Sequence, residues 1–208
     1  QNIDGLEGQC TDLPREKVVA VHGSMDQASC EMCGEKGDFD EFCKEVEEKI
    51  KDISKSDDSA PEISTPILCK MCGCATVKPS IVLFRSNLPR EFYDRAREDL
   101  PTADLLIVVG TSLTVSPANT LVYRAPSTTL RLVVNNEPVG TRLGIQYGPE
   151  SSRDFFAQGF CDNVFLELMD HLGWLKDIAH DKLPEASASL LRERLARASA
   201  EKNNVLRS

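Results

Sequence analysis

Four cysteines form two pairs, and each pair has two residues between its members. Cys30 and Cys33 make the first pair, and Cys69 and Cys72 make the second. Zinc prefers four soft ligands at tetrahedral corners, and a Cys-x-x-Cys turn offers two thiolates from one bend. The spacing therefore predicts a zinc site. Because four thiolates fill the coordination shell, we expect this zinc to be structural and not catalytic.

A fifth cysteine leaves one point of this ligand set open. Cys74 follows Cys72 by two residues, so Cys69, Cys72 and Cys74 are three candidates for two positions. We favour Cys69 and Cys72 because their spacing repeats that of the first pair. Disulfides are the alternative use of the eight cysteines, but the paired spacing is more typical of metal binding in a reducing compartment.

A histidine lies eight residues before the first cysteine pair. His22 follows an apolar stretch, residues 16–21, that predicts a short strand ending at this position. Imidazole titrates near neutral pH, so a histidine can accept and release a proton under physiological conditions. Taken alone, a histidine in this position is more often a buried, hydrogen-bonded structural residue than a catalytic one.

The elements that must position these residues alternate along the chain. Apolar runs predict strands at 81–84, 104–109 and 130–134, and the run at 104–109 is expected to be buried on both faces. Helical periodicity occurs at 38–53, 89–99, 117–124 and 161–172, and residues 54–66 predict a loop. The alternation indicates an α/β fold with a partial doubly wound parallel, Rossmann-like sheet and an inserted small zinc-binding domain.

Polar or glycine-containing stretches follow three predicted strands, at 21–23, 110–112 and 135–137. Ligands of parallel α/β sheets bind at the carboxyl ends of the strands. We therefore expect a nucleotide to contact these three stretches.

Composition limits the possible partners. The chain has 208 residues, of which 41% are hydrophobic, and its net charge is −9. A net negative charge argues against direct nucleic-acid binding through a basic surface, although a basic peptide remains a suitable partner. No apolar run approaches the roughly 20 residues that a membrane helix needs, so no membrane partner is expected.

Taken together and in order, the motifs resemble those of the sirtuins, which are NAD-dependent protein-lysine deacylases. Besides the two cysteine pairs, the matching segments are Gln1-Asn2-Ile3-Asp4, Val21-His22-Gly23, Lys78-Pro79-x-Ile81-Val82, Gly110-Thr111-Ser112-Leu113 and Val134-Asn135. The resemblance runs from residue 1 to about residue 175 and is closest to the eukaryotic cytoplasmic and nuclear branch. It implies deacetylation with NAD as co-substrate and a structural zinc ion. It also implies acetylated lysines of histone- or tubulin-like proteins as partners, and a location in the cytoplasm, the nucleus or both.

The resemblance also implies roles for individual residues. His22 would be the general base that takes a proton from a ribose hydroxyl, and Asn2 would belong to the same catalytic group. The nicotinamide and its ribose would be contacted by Gln1, Asn2, Ile3 and Asp4. The phosphates, the adenine and its ribose would be contacted by Gly110, Thr111, Ser112, Asn135, Glu137 and Cys161. One wall of the acetyl-lysine tunnel would be formed by Val82, Leu83 and Phe84.

The same resemblance divides residues 1–176 into three parts. Residues 1–24 would carry the nicotinamide pocket of a Rossmann-like domain, residues 25–79 the zinc-binding module with its helical insert, and residues 80–176 the remainder of the Rossmann-like domain. Beyond the resemblance, residues 182–208 are rich in Ala, Arg and Glu, so we expect residues 177–208 to form a helical or disordered tail that is largely solvated.

Two departures from the family pattern affect these expectations. The Gly-Ala-Gly loop that clasps the NAD pyrophosphate in sirtuins does not occur in the sequence, so we expect the chain to be the C-terminal portion of a sirtuin, with little or no activity alone. The family's Phe-Phe-Gly-Glu is replaced by Leu83-Phe84-Arg85-Ser86, which changes the substrate groove.

Two other functions are alternatives to the deacetylase. One is a non-enzymatic zinc-binding interaction module, and the other is a protein ADP-ribosyltransferase that uses the same pocket.

Overall fold

The computed structural model describes residues 1–179 and 183–205. Within this part of the chain the strands are β1 (Gly23–Cys30), β2 (Lys36–Gly37), β3 (Val77–Ile81), β4 (Leu105–Val109), β5 (Leu130–Asn135) and β6 (Asp154–Gln158). The α-helices are α1 (Phe39–Lys49), α2 (Arg90–Glu98), α3 (Leu121–Arg124), α4 (Cys161–His171) and α5 (Glu185–Val205). Single turns of 3-10 helix occupy Leu6–Gln9, Arg15–Lys17, Leu100–Thr102, Ala118–Thr120, Thr141–Leu143 and Leu175–Asp177. The chain divides into two units, the first ending at Arg95 and the second beginning at Ala96.

The first unit contains a three-stranded antiparallel sheet in the order β2-β1-β3. In the register of the sheet, Cys30 lies opposite Val77, and the β1–β3 pairing is irregular between Gly23 and Ala28. The edge strand β3 accommodates Pro79, as expected for a residue without a backbone N–H. This small sheet places the first cysteine pair at the end of β1 and the second pair shortly before β3.

Helix α1 lies in the insert between the cysteine pairs, where the sequence predicts a helix over 38–53. The Asp38 side chain accepts a hydrogen bond from the backbone N–H of Glu41 at 2.8 Å and so caps the first turn. The helix ends at Lys49, because Ile50 already has an extended backbone. Residues 54–66 form no regular secondary structure, which confirms the predicted loop.

The second unit contains a three-stranded parallel sheet in the order β4-β5-β6, which confirms the predicted α/β class. Val109 lies opposite Val134, and Val133 lies opposite Phe156. One face of this sheet forms a core in which Val108 and Val133 pack with Val122 of α3. This arrangement fixes the carboxyl ends of β4 and β5, which two of the three predicted nucleotide-contacting stretches follow. The third stretch, 21–23, does not follow a parallel strand, because it lies at the start of β1 in the antiparallel sheet.

The prediction that strand 104–109 is buried on both faces is wrong for the described chain. Leu105, Ile107 and Val109 are 49%, 41% and 39% exposed, whereas Val108 is buried. In the described sheet β4 is an edge strand, and only its Val108 face contacts the core. A continuous apolar run makes burial of both faces favourable, but it does not show what covers each face.

Two other strand predictions are displaced. Residues 16–21 contain a 3-10 turn at Arg15–Lys17 and no strand, and β1 begins only at Gly23. The strand predicted at 81–84 lies earlier, since β3 ends at Ile81. In both cases pairing with a neighbouring strand decides the boundary, and the order of apolar residues cannot specify that partner.

The predicted solvated tail is helical but not wholly solvated. Leu191 of α5 is completely buried and packs with Leu166 of α4 and with Leu175. Residues 180–182 and 206–208 of the predicted tail lie outside the described residues. In the part of the chain that the structure describes, no helix combines the length and apolarity needed to cross a membrane.

Candidate functional site

The two cysteine pairs are held in two turns of the same construction. The backbone N–H of Gly34 donates to the carbonyl of Cys30 at 2.9 Å, and that of Gly73 donates to Cys69 at 2.8 Å. Gly34 and Gly73 have φ angles of 76° and 70°, a left-handed conformation that favours glycine. Each turn therefore directs two thiols toward the same side.

The structure brings all four predicted metal ligands together. The sulfur atoms of Cys30, Cys33, Cys69 and Cys72 all lie within 4.8 Å of one another. The Sγ atoms of Cys30 and Cys72 are 3.6 Å apart, and those of Cys33 and Cys69 are 3.7 Å apart. A tetrahedral zinc ion with Zn–S bonds of about 2.3 Å separates its sulfur ligands by about 3.8 Å. The four thiols therefore fit a structural zinc ion.

The fifth cysteine lies beside this cluster. The Cys74 thiol is 3.8 Å from the carbonyl oxygen of Cys72. The backbone carbonyl oxygen of Cys74 accepts a hydrogen bond from the N–H of Cys69. Cys74 thus closes the second turn through its backbone, while the thiols of Cys69 and Cys72 join the cluster.

The protonation behaviour of the thiols also suits a cation. The Thr76 hydroxyl lies 3.2 Å from the Cys30 sulfur and, with the backbone of Cys33, lowers the pKa of Cys30 to about 6. A hydrogen bond with the backbone of Cys74 acts to lower the pKa of Cys72, but burial and the neighbouring thiols raise it overall. The Cys30 thiolate therefore forms readily, whereas loss of the proton from Cys72 beside it is opposed. A divalent cation bound between the thiols would remove this opposition, because it neutralises the negative charge.

The catalytic candidate His22 contacts the beginning of the chain. Its Nδ1 atom lies 3.0 Å from the carbonyl oxygen of Gln1. Because a carbonyl oxygen only accepts hydrogen bonds, Nδ1 carries the proton in this contact. In the neutral ring, Nε2 is then left as the basic nitrogen.

The backbone around His22 is fixed by the neighbouring strand. The N–H of Val82 donates to the carbonyl oxygen of His22 at 2.9 Å. Gly23, the next residue, has a φ of 76°, and a Cβ atom at this position would lie only 1.9 Å from the carbonyl oxygen of Ser80. Glycine at position 23 is therefore required for the His22 segment to approach β3 this closely.

The first four residues lie along the start of β1. The N–H of Met25 donates to the carbonyl oxygen of Ile3 at 2.7 Å, and the Asp4 carboxylate accepts from the N–H of Leu6. The side chains of Gln1, Asn2, Ile3 and Asp4 are all exposed. The structure thus brings Gln1 to His22 and leaves these four side chains accessible to a ligand.

The predicted substrate segment continues directly from β3. Val82 is half-buried, whereas Leu83 and Phe84 are 49% and 90% exposed. Arg85 is also exposed and has a φ of 74°, which is unfavourable for a residue other than glycine. The segment therefore presents two large apolar side chains and a cation to solvent.

Residues predicted to contact the adenosine side of NAD meet at the carboxyl ends of the parallel strands. The side-chain amide of Asn135 donates to the carbonyl oxygen of Thr111 at 3.2 Å. The backbone N–H of Gly110 donates to the carbonyl oxygen of Val134 at 3.0 Å. A Cβ atom on Gly110 would lie 3.6 Å from the sulfur of Cys161. Ser112 and Glu137 are exposed near the same strand ends.

Sequence reasoning missed several residues that build these sites. Gly34 and Gly73 belong to a repeated Cys-x-Met-Cys-Gly pattern, which was available as a signal for both turns. Gly23 belongs to the Val21-His22-Gly23 motif, but the motif does not indicate that a Cβ atom there would clash with Ser80. Thr76 gave no signal, because only the fold brings its hydroxyl to Cys30.

Comparison with known proteins identifies sequence relatives of this chain. The model of the Sir2 family matches residues 1–117. "NAD-dependent deacetylase sir2A" of Dictyostelium discoideum is 37% identical, over 84% of this chain and 32% of that protein. "NAD-dependent protein deacetylase hst2-2" of Emericella nidulans is 35% identical, over 86% and 44%. "NAD-dependent protein deacetylase sirtuin-2" of Danio rerio is 31% identical, over 86% and 46%.

The chain spans between about a third and just under half of the length of these curated relatives. The family match itself covers more than half of the 208 residues and includes His22 and both cysteine pairs. The chain therefore belongs to the Sir2 family, whose members use NAD.

Proposed function

We propose that this chain carries the general base, the acetyl-lysine contacts and the zinc-binding module of an NAD-dependent protein-lysine deacetylase. The observation that carries the proposal is the pair of contacts at His22. Its ring is held by Gln1, and its backbone is bonded to Val82, the first residue of the proposed substrate segment. The proposed base and the proposed lysine contacts are thus linked by one hydrogen bond.

His22 acts in this proposal through Nε2. The Gln1 carbonyl holds the proton on Nδ1, so the opposite nitrogen is free to accept a proton from a ribose hydroxyl. A backbone carbonyl can orient the His22 ring because it accepts a hydrogen bond only from a protonated Nδ1 and so fixes the tautomer. Asn2 completes the catalytic group as a polar contact to the same ribose.

NAD, when bound, supplies the ribose carbon that nicotinamide leaves and that the acetyl oxygen attacks. Gln1, Asn2, Ile3 and Asp4 contact the nicotinamide and its ribose, which agrees with their exposed side chains. One water molecule is consumed to release the amine, so that the products are nicotinamide, O-acetyl-ADP-ribose and the free lysine.

The second unit supplies contacts to the adenosine side of NAD. Gly110, Thr111 and Ser112 contact the phosphate and ribose side, and Asn135 and Glu137 hold the adenine-ribose hydroxyls. Cys161 offers its backbone near the adenine. The support for this assignment is the hydrogen bond between Asn135 and Thr111 at the carboxyl ends of β4 and β5.

The acetyl-lysine is contacted by Val82, Leu83 and Phe84. The peptide backbone of the substrate adds as a strand beside this segment, whose exposed apolar side chains are available to the lysine stem. The substrates are acetylated proteins of the histone or tubulin kind, in the cytoplasm or the nucleus. The zinc ion, held by Cys30, Cys33, Cys69 and Cys72, stabilises the small module and takes no part in the chemistry.

The experiment is product analysis by mass spectrometry with the protein at its full natural length, NAD and an acetyl-lysine peptide. O-acetyl-ADP-ribose formed together with the free peptide supports the proposal. The 208 residues alone contain no Gly-Ala-Gly loop, so we expect them to turn over little NAD and to serve as the comparison.

The other outcomes identify the rival functions. An ADP-ribosylated peptide, with its acetyl group retained, would indicate an ADP-ribosyltransferase. Binding of the acetylated peptide without consumption of NAD, by a folded and zinc-loaded protein, would indicate an interaction module.

A further inference from the structure

The zinc-binding module contains a cleft that the proposed function does not use. It lies between α1 and the antiparallel sheet and has a volume of about 170 Å³. Two of the cysteine ligands, Cys30 and Cys69, form part of its wall. A space of this size admits one side chain and not a nucleotide.

The floor of the cleft is apolar. The buried and half-buried apolar residues of the lining, Ala28 of β1, Phe42 of α1 and Val77 of β3, form this floor, and the exposed Leu68 also lines the cleft. Helix α1 leaves all of its residues at least partly accessible, including Phe42, which lines the cleft. The helix and the sheet therefore leave an apolar space between them that is not filled by their own side chains.

The rim of the cleft is acidic. The charged residues that line it are Glu35, Lys36, Asp38, Glu41, Glu45 and Lys70. Four carboxylates thus face two ammonium groups. Residues 35–49 as a whole contain seven acidic and three basic residues, so the surroundings do not reverse this excess.

The carboxylates that are already paired remain available to another cation. Lys70 contacts Glu41 at 2.5 Å and Lys49 contacts Glu45 at 2.6 Å. The Lys70 and Glu41 side chains are 72% and 51% exposed, and exposed ion pairs contribute little to stability. An incoming cation can therefore share the Glu41 carboxylate oxygens at small cost.

We propose that this cleft is a docking site for one arginine or lysine side chain of a partner protein. The aliphatic stem packs on Phe42, Leu68 and Val77, and the cation lies among the carboxylates of the rim. Basic side chains combine an apolar stem with a charged end, which matches an apolar floor below an acidic rim. The site is separate from His22 and does not depend on the proposed deacetylase activity.

The test is a titration of the isotope-labelled, zinc-loaded full chain with the blocked peptide Gly-Leu-Arg-Leu-Gly, followed by NMR at low salt. We expect amide shifts at Phe42, Leu68 and Val77, with a dissociation constant on the order of 1 mM, as one anchored side chain supports. The same peptide with Glu, and the same peptide with Ala, in place of Arg are expected to cause no saturable shift.

Two double variants of α1 separate a site from general attraction. Glu41→Gln with Glu45→Gln is expected to weaken binding at least about fivefold, because both carboxylates line the cleft. Glu47→Gln with Glu48→Gln removes the same charge from exposed positions outside the cleft and is expected to change binding less than about twofold. Spectra of all variants without peptide report whether the fold is intact.

Equal weakening by the two double variants would overturn the proposal, because it would show attraction to the whole acidic helix. Equal binding of the Ala peptide would show an apolar occupant and would also overturn it. Failure of the Arg peptide to shift the cleft amides would do the same, whatever the catalytic activity of the protein.

Discussion

The backbone N–H of Val82 donates a hydrogen bond to the carbonyl oxygen of His22 at a distance of 2.9 Å. This bond joins the end of β3 to the residue that immediately precedes β1. Since the His22 ring is held separately by Gln1, the position of its base is fixed from both sides. A substitution that disturbs the β1–β3 contact is therefore expected to impair both catalysis and substrate binding.

Gly23→Ala is the substitution that disturbs this contact most directly. A methyl group at position 23 would lie 1.9 Å from the Ser80 carbonyl oxygen, and the φ of 76° disfavours any side chain. We expect a loss of about 2 kcal/mol or more in the free energy of unfolding, measured by denaturant titration. Gly37→Ala is the control, because its Cβ meets nothing within 4 Å, and we expect a change within about 0.5 kcal/mol. Equal effects of the two changes would refute the steric argument.

Replacement of a single thiol tests the metal centre. Cys33→Ser is expected to abolish stable zinc binding and to unfold the small module, because structural zinc contributes on the order of 10 kcal/mol in comparable sites. Cys74→Ser is expected to retain about one zinc per chain, since its thiol is not in the four-sulfur cluster. Zinc content by elemental analysis and circular dichroism with and without chelator measure both effects. Zinc loss from Cys74→Ser alone would reassign the ligands.

Thr76 is predicted to tune zinc affinity through its hydroxyl group. That hydroxyl lies 3.2 Å from the Cys30 sulfur. Thr76→Val keeps the shape of the side chain but removes the contact, and we expect zinc affinity to fall about 10-fold or more. Thr76→Ser keeps the hydroxyl and is expected to bind zinc nearly as wild type. Competition with a chromogenic chelator measures both variants, and equal affinities of the two would contradict the prediction.

A buried ion pair predicts the acid sensitivity of the second unit. The Asp154 carboxylate accepts hydrogen bonds from Nε of Arg131 at 2.5 Å and from the backbone N–H of Gln146 at 2.7 Å. Burial acts to raise the pKa of Asp154, but Arg131 and Gln146 hold it below its ordinary value. The contribution of this pair is therefore complete above the unfolded-state value of about pH 4 and is lost as pH falls through the lower folded-state pKa.

Asp154→Asn is expected to reduce the free energy of unfolding at neutral pH by about 3–5 kcal/mol, because it leaves the Arg131 cation buried without its partner. The variant should also show a smaller loss of stability than the wild type as the pH falls below about 4. Denaturant titrations across this range measure both quantities. Glu150→Gln, at an exposed position, is the control, and the same pH profile for wild type and Asp154→Asn would contradict the account.

The sequence predicted those features that depend on local spacing. Two equal Cys-x-x-Cys spacings were sufficient to identify the four thiols that cluster. The periodicity of Phe39, Phe42 and Val46 identified α1, and the apolar run ending at Val109 identified β4. In each case the pattern reflects a rule that acts within one turn or one strand.

Features that depend on distant neighbours could not be predicted. Thr76 and Cys30 are 46 residues apart, and only the β1–β3 register brings them together. The exposed face of β4 and the burial of Leu191 depend on which element packs against each, and an apolar pattern does not name its partner. The Gln1 contact that sets the His22 tautomer is a backbone interaction and leaves no trace in residue type.

The most direct test of the central claim is peptide-dependent release of nicotinamide from NAD by the protein at its full natural length. His22→Ala removes the proposed base, and His171→Ala, at the exposed end of α4, is the matched control. We predict that release requires an acetyl-lysine peptide, falls by at least about 100-fold in His22→Ala and is unchanged in His171→Ala. Release that persists in a folded, zinc-loaded His22→Ala protein would contradict the role of His22. No release from a folded wild-type protein would contradict the deacetylase assignment itself.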